Sequence, residues 1–156
     1  MNRSYFFRIL IPVMALILFA SFSDAHAELT IIAKDGHYVF YKNGIVYDEK
    51  TNLEWMAGPD KNTSWNEAKV WVESLSVEGG GWRMPTREEL KTLYQEGAGS
   101  RNMTPLLKTT GWWVWSGETK GAESAWAFFF RFGNEPWSLR ENSGTTFRSF
   151  AVRSRK

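Results

Sequence analysis

Apolar and polar positions recur along the chain with two different periods, which separate strand-like from helix-like segments. In the first third, short runs rich in β-branched and aromatic residues alternate with turn sequences such as Asn43-Gly44. Asn52 stands in a polar turn and suits a left-handed backbone. These runs predict short strands at 29–33, 37–41, 45–47 and 53–56.

Two capping boxes predict where two helices begin. In the first, Ser64 and Glu67 precede a segment, ending near Leu75, whose apolar residues recur every three or four positions. In the second, Thr86 and Glu89 precede an apolar stripe that ends at a glycine-rich stretch about ten residues later. We therefore predict two short helices in the middle of the chain.

Three consecutive glycines, 79–81, stand directly before Trp82, and Pro85 precedes the second capping box. Glycines admit backbone conformations that other residues avoid, so we expect a loop that buries the Trp82 indole, turns sharply and starts the second helix. An arginine in such a loop more often pairs with a carboxylate or backbone carbonyls than with a ligand. The residues to which we assign a structural role are Trp82, Arg83, Pro85, Thr86 and Glu89.

The last third is predicted to be a loop at 100–110 followed by β-structure. The two-residue period places Trp126, Phe128, Phe130 and Phe132 on one strand face. The predicted strands are 112–116, 125–132, 136–140 (an edge strand, because it contains a proline) and 146–152. Strands, two helices and further strands in that order indicate an α+β fold, with two short helices packed on a twisted antiparallel sheet.

Residues 1–27 have the pattern of a secretory signal peptide. Two arginines precede an apolar run at 9–22, and a small-x-small cleavage site follows at 25–27. The run is shorter than the roughly 20 residues of a spanning helix. We therefore expect residues 28–156 to form a single exported domain, periplasmic or secreted, with membrane contact only through the cleaved peptide.

The composition of residues 28–156 argues against some classes of function and indicates how the domain is stabilised. Seventeen basic and sixteen acidic residues leave a net charge of +1, unlike a typical nucleic-acid-binding domain. The chain has no cysteine, so no disulfide contributes to its stability. All nine tryptophans lie in this part, and for most of them core packing is the expected role.

The order of several motifs resembles a known bacterial family. The motifs are 43–48, 51–55, 64–68, 81–86 with Glu89-Leu90, 113–116, 125–126 and 152–153. Together they resemble the domain of unknown function found as the C-terminal domain of the Legionella collagen-like adhesin. The resemblance implies export and a C-type-lectin-like fold related to the sulfatase-modifying factors, in which the Trp-Arg-x-Pro-Thr loop is structural; the adhesin's domain binds sulfated glycans. Many relatives carry a cysteine pair that is missing here, and tend to have glycine where Asn52 stands.

The residue inventory argues against an enzyme. Formylglycine-generating relatives need thiols, and iron-dependent relatives need clustered histidines, whereas His37 is the single histidine after residue 27. A metal site needs several converging ligands, and a nucleophilic triad needs a serine motif beside its base. We expect no catalytic residues, no metal and no cofactor.

The candidate ligand-binding residues cluster on the turns of the last strands: Asn134, Glu135, Trp137, Arg140 and Asn142. A tryptophan beside amides and charges suits stacking on a sugar ring, while a solvated hairpin tip is the simpler interpretation. Glu135-Pro136-Trp137 lacks the final Asn of the Glu-Pro-Asn motif of calcium-dependent lectins. Basic residues near the C-terminus could attract a sulfated polysaccharide or an anionic envelope surface.

Two functions remain open at this point, and a third, an enzyme of unfamiliar type, would require a deep pocket lined by converging carboxylates. The first is an exported, non-catalytic binding module that recognises a glycan or another component of the cell envelope. The second is a structural or assembly subunit of an envelope protein complex, acting through protein–protein contacts.

Overall fold

A computed structural model describes residues 29–144 and 146–155, so the predicted signal peptide lies outside the described residues. Across these described residues the fold is α+β, as predicted, with two short helices. Its elements are β1 (Ile31–Asp35), β2 (Tyr38–Tyr41), β3 (Val46–Asp48), β4 (Leu53–Ala57), α1 (Trp65–Glu73), α2 (Arg87–Leu93), β5 (Trp113–Lys120), β6 (Ser124–Phe129), β7 (Trp137–Leu139), β8 (Phe147–Arg148) and β9 (Phe150–Ser154). A single 3₁₀ turn at Val77–Gly79 precedes α2. Within the described residues, no helix is both long enough and apolar enough to span a bilayer.

The strands in the described part of the chain form two sheets, which corrects the prediction of a single antiparallel sheet. The first has the order β1-β2-β3-β4-β9, and all its pairs are antiparallel. The second has the order β7-β6-β5-β8, in which β5 and β8 run parallel. Strand β7 lies at the edge of the second sheet, as expected from Pro136, which directly precedes it.

The segment predicted as one strand, 146–152, is divided between the two sheets at Ser149. Phe147 stacks on Trp115, with ring centres 4.3 Å apart, and this contact holds β8 against β5. After the break, β9 pairs with β4 instead, with Val152 opposite Trp55. The last strands therefore link the two sheets, a pairing that the local pattern could not indicate.

The second sheet has a helix against each of its faces. Trp115 packs with Trp65 and Ala68 of α1. Val114, the neighbour of Trp115 on β5, lies on the opposite face of the sheet and packs with Leu90 of α2. Both faces are therefore buried where the helices cover them.

The predicted row of aromatic residues is correct only in part. Phe128 and Phe130 are buried in the cluster that contains α2. Phe132 is 67% exposed, because β6 ends at Phe129 and the chain turns there, with the Phe132 amide donating to the Phe129 carbonyl. The strand predicted at 125–132 therefore ends three residues early, at Phe129.

Both predicted capping boxes form, at Ser64 and at Thr86. Asn52 adopts the predicted left-handed backbone, with φ of 58°. Helix α2 ends earlier than expected, at Leu93, because the chain after it enters a loop in which the Gln95 amide donates to the Asn102 carbonyl.

Candidate functional site

The loop before α2 is built around Trp82, which is buried as predicted, with 7% of its surface exposed. Its indole N–H donates to the Val77 carbonyl over 3.0 Å. The guanidinium of Arg153 lies over the indole ring and donates to the carbonyls of Val77, Glu78 and Gly80. The same guanidinium pairs with the buried Glu54 carboxylate at 2.7 Å. These contacts hold the glycine loop against the core.

Arg83, on the same loop, forms two hydrogen bonds with the Glu89 carboxylate, of 2.7 and 2.5 Å. Burial alone would raise the pKa of Glu89, but the hydrogen bonds from Arg83 and Thr86 hold it below its usual range. The charges of Arg83 and Glu89 therefore pair with each other at the start of α2. Pro85 is buried beside them.

Trp137 is the most exposed of the tryptophans near the predicted ligand-binding turns, at 51%. It pairs across the strands with Trp126, so the two side chains lie on the same face of the sheet. The Lys120 amine lies 4.1 Å from the centre of the Trp137 ring and 5.3 Å from that of Trp126. An apolar, cation-bearing patch therefore faces solvent at this edge.

Arg87 and Glu135 complete this patch. The Arg87 guanidinium lies 4.4 Å from the centre of the Trp126 ring. It pairs with Glu118 and, at 3.6 Å, with Glu135. We call Lys120, Trp126, Trp137, Arg87 and Glu135 the two-tryptophan surface.

Arg140, another predicted binding residue, lies on the other side of the sheet, against α1. Its guanidinium is 4.1 Å from the centre of the Trp65 ring and donates to Asn66 Oδ1 at 2.8 Å and to the Ala122 carbonyl at 3.1 Å. It lines a cleft of ≈ 360 Å³ together with Glu141. Arg140 and Trp137 therefore lie on different surfaces of the protein.

The two predicted asparagines make local contacts. The Asn134 carbonyl accepts from the Phe129 amide at 2.8 Å. The Asn142 side chain donates to Ser138 Oγ and accepts from the Gly144 amide. The structure thus brings Glu135 and Trp137 together and leaves Asn134, Arg140 and Asn142 outside the two-tryptophan surface.

Sequence reasoning missed Lys120 and Arg87 as members of this surface. Lys120 lies between the predicted strands 112–116 and 125–132, whereas β5 extends to include it. Arg87 is the first residue of α2, and its sequence position indicates only a place in that helix. No sequence signal marks either residue, because each meets these rings only through sheet pairing or helix packing.

No group of three or more His, Cys, Asp or Glu side chains within residues 29–144 and 146–155 is arranged to hold a metal ion. The charged groups of the two-tryptophan surface are instead mixed. Arg87 is offset by two carboxylates, whereas the Lys120 ammonium contacts rings alone among the described residues. Such an arrangement can stack a flat apolar face and offer hydrogen bonds around it.

Comparison with known proteins identifies the family. No curated protein matches the sequence significantly. A family model described as the Lcl C-terminal domain matches residues 44–153, which span from the turn before β3 to the β9 arginine that holds the Trp82 loop. The chain therefore belongs to the Lcl C-terminal domain family.

Proposed function

We propose that this protein is a non-catalytic binding module that recognises a glycan through the two-tryptophan surface. The observation that carries the proposal is the half-exposed Trp137 ring, held beside Trp126 with Lys120 over both. Neighbouring exposed apolar side chains that are rimmed by polar groups often mark a binding site, and sugar rings present a flat face of C–H groups that stacks on an indole.

The polar groups around the rings fit the same ligand class. The Lys120 ammonium can donate to sugar hydroxyls or to an acidic substituent, and Glu135 can accept from hydroxyls. A few polar groups that converge around an apolar contact are the usual composition of a ligand site.

Two further parts of the proposal concern the fold family and the location. We infer a C-type-lectin-like fold from the resemblance of the motif order and from the α+β arrangement of two helices and two sheets. We infer export to the periplasm or cell surface from the signal-peptide pattern of residues 1–27.

Glycan-array and heparin-column binding of the purified protein at low salt tests the proposal. We expect retention, and we expect Trp137→Ala to abolish it. Phe132→Ala is the matched control, because Phe132 is an exposed aromatic residue (67%) outside the two-tryptophan surface, and this variant should bind normally. Absence of binding by the unmodified protein on both supports would refute the glycan assignment.

The exposed apolar side chains of β7 favour a second candidate, a subunit of an envelope complex. β7 is an edge strand, and Leu139 beside Trp137 is 57% exposed, so a partner strand could pair there. Co-purification of a stable periplasmic partner that Leu139→Asp abolishes, without any glycan affinity, would favour this function over the first.

A further inference from the structure

A second apolar surface lies on the outer side of α1. The helix buries Trp65, Ala68 and Val72 on its inner side, as an amphipathic helix should. Its outer side nevertheless carries Val70, which is 67% exposed, beside the half-buried Trp71. With Pro59 opposite, these two side chains line a cleft of ≈ 390 Å³, a size typical of small-molecule sites.

The wall opposite the helix is held in place by the core. Buried Arg148 pairs with Asp60 at 2.6 Å and donates to Asn62 Oδ1 at 3.2 Å. The Thr63 carbonyl accepts from the buried Trp115 indole at 2.8 Å. The loop that carries Pro59 and the neighbouring Lys61 is therefore anchored on both sides, and the cleft is formed before any ligand arrives.

The rim of the cleft carries one charge of each sign. The Lys61 ammonium makes no hydrogen bond and no ion pair with the described residues 29–144 and 146–155. Glu67 Oε2 accepts from the amide and hydroxyl of Ser64 at 2.7 and 2.8 Å, whereas Glu67 Oε1 accepts no hydrogen bond from the described residues. The bonds from Ser64, together with the nearby Lys61 charge, lower the pKa of Glu67, so its carboxylate is ionised at neutral pH.

A buried polar group next to the cleft is also unpartnered. Ser149 is 2% exposed, its hydroxyl finds no hydrogen-bond partner among the described protein atoms, and the residue is part of the cleft lining. Unpaired buried polar groups are uncommon in folded proteins and call for an explanation. Ser149 thus adds an unsatisfied polar group to the wall of the cleft.

We propose that this cleft binds a free amino acid with a large apolar side chain. The apolar body lies against Val70, Trp71 and Pro59, the carboxylate pairs with Lys61, and the ammonium pairs with Glu67. A zwitterion satisfies both rim charges at once, whereas a simple hydrophobic acid or amine would leave one of them facing a like charge.

Nuclear magnetic resonance titration of the purified protein with four probes tests this assignment. Leucine carries both charges and the apolar body; 4-methylpentanoate lacks the ammonium, isoamylamine lacks the carboxylate, and glycine lacks the body. We expect leucine to shift the Val70 methyl and Trp71 indole signals at the lowest concentration, and glycine to leave them unchanged.

Conservative variants separate the two charges. Lys61→Gln and Glu67→Gln should each weaken leucine binding by about twofold to fivefold, the range expected for a solvent-exposed ion pair. Glutamine can also complete a capping box, so Glu67→Gln should still fold. Lys69→Gln is the control, since Lys69 lies on α1 away from the cleft lining and pairs with Glu73.

Selectivity should change in a defined direction. Lys61→Gln should no longer prefer leucine over isoamylamine, and Glu67→Gln should no longer prefer leucine over 4-methylpentanoate. Equal binding of leucine and 4-methylpentanoate by the unmodified protein would overturn the zwitterion assignment. Absence of any shift at Val70 and Trp71 with leucine up to its solubility would overturn the site itself.

Discussion

The guanidinium carbon of Arg153 lies 4.4 Å from the centre of the Trp82 ring. This contact joins the last strand to the glycine loop, and the same guanidinium pairs with Glu54 of β4. Arg153 is 5% and Glu54 3% exposed, so both charges are removed from water and depend on each other and on the loop carbonyls. One arginine therefore connects the first sheet to the entry of α2.

Arg153→Met should destabilise the protein by about 3–5 kcal/mol, because it leaves the Glu54 carboxylate buried without its partner and frees three loop carbonyls. The measurement is urea unfolding followed by tryptophan fluorescence. Arg155→Met is the matched control, since Arg155 is exposed and lies over Tyr47, and should cost less than about 1 kcal/mol. Equal losses for the two variants would contradict the central role of Arg153.

Trp115 and Trp55 are both fully buried, yet their replacement by phenylalanine should differ in cost. The Trp115 indole donates to the Thr63 carbonyl at 2.8 Å, whereas the Trp55 indole N–H has no hydrogen-bond partner among the described atoms. Trp115→Phe should therefore lower the free energy of unfolding by about 1–2 kcal/mol more than Trp55→Phe, because it leaves a buried carbonyl unpaired. Thermal and urea unfolding of the two variants, measured side by side, would show the difference; the reverse order would refute this account.

Gly58 is required by close packing against Ser149. A Cβ added at Gly58 would lie 2.3 Å from Ser149 Oγ and 2.7 Å from the Ser149 carbonyl oxygen. Gly58→Ala should therefore cost about 1–3 kcal/mol. Ser149→Ala alone should leave stability equal or slightly higher, because its hydroxyl is buried and unpaired.

The double variant distinguishes the two obstacles at Gly58. Removing the Ser149 hydroxyl should recover only part of the loss, since the backbone carbonyl stays in place. Complete recovery in calorimetry of the double variant would show that the carbonyl contact is unimportant.

Glu89 makes the stability of the fold depend on pH in the acid range. Burial alone would raise its pKa in the folded protein, but the hydrogen bonds from Arg83 and Thr86 outweigh that effect and hold the pKa below the ordinary value for a glutamate. A depressed pKa means that the unfolded chain binds the proton more readily, so this contribution is fully present above about pH 5 and is lost as the pH falls through the folded-state pKa.

Glu89→Gln should accordingly lower stability at pH 7 and reduce the slope of unfolding free energy against pH below about 4.5. Glu88→Gln, at the adjacent exposed position, is the matched control. Some slope should persist in both, since hydrogen bonds also hold the pKa values of Glu67 and Asp60 low. Parallel curves for Glu89→Gln and the unmodified protein would exclude Glu89 as the source.

Some residues of the candidate site can be recognised in the sequence, and others cannot. Trp137 and Glu135 could be selected from their place near the last turns, because a tryptophan among polar residues is visible in the sequence. Lys120 and Arg87 could not, since they come from β5 and α2 and meet the tryptophans only through sheet pairing and helix packing. Arg140 looked equivalent to Trp137 in the sequence, but packing on Trp65 places it on the other side of the sheet.

The sequence alone determined the features whose hydrogen bonds close within a few residues. The capping boxes at Ser64 and Thr86 and the left-handed turn at Asn52 are of this kind, because each joins groups no more than three or four positions apart. Only the tertiary structure decided that the chain forms two sheets, that 146–152 divides between them, and that Arg153 reaches the Trp82 loop. Those outcomes depend on which surfaces, distant in the sequence, become buried against each other. The pattern of apolar and polar residues in one strand is compatible with several neighbouring strands until the core forms.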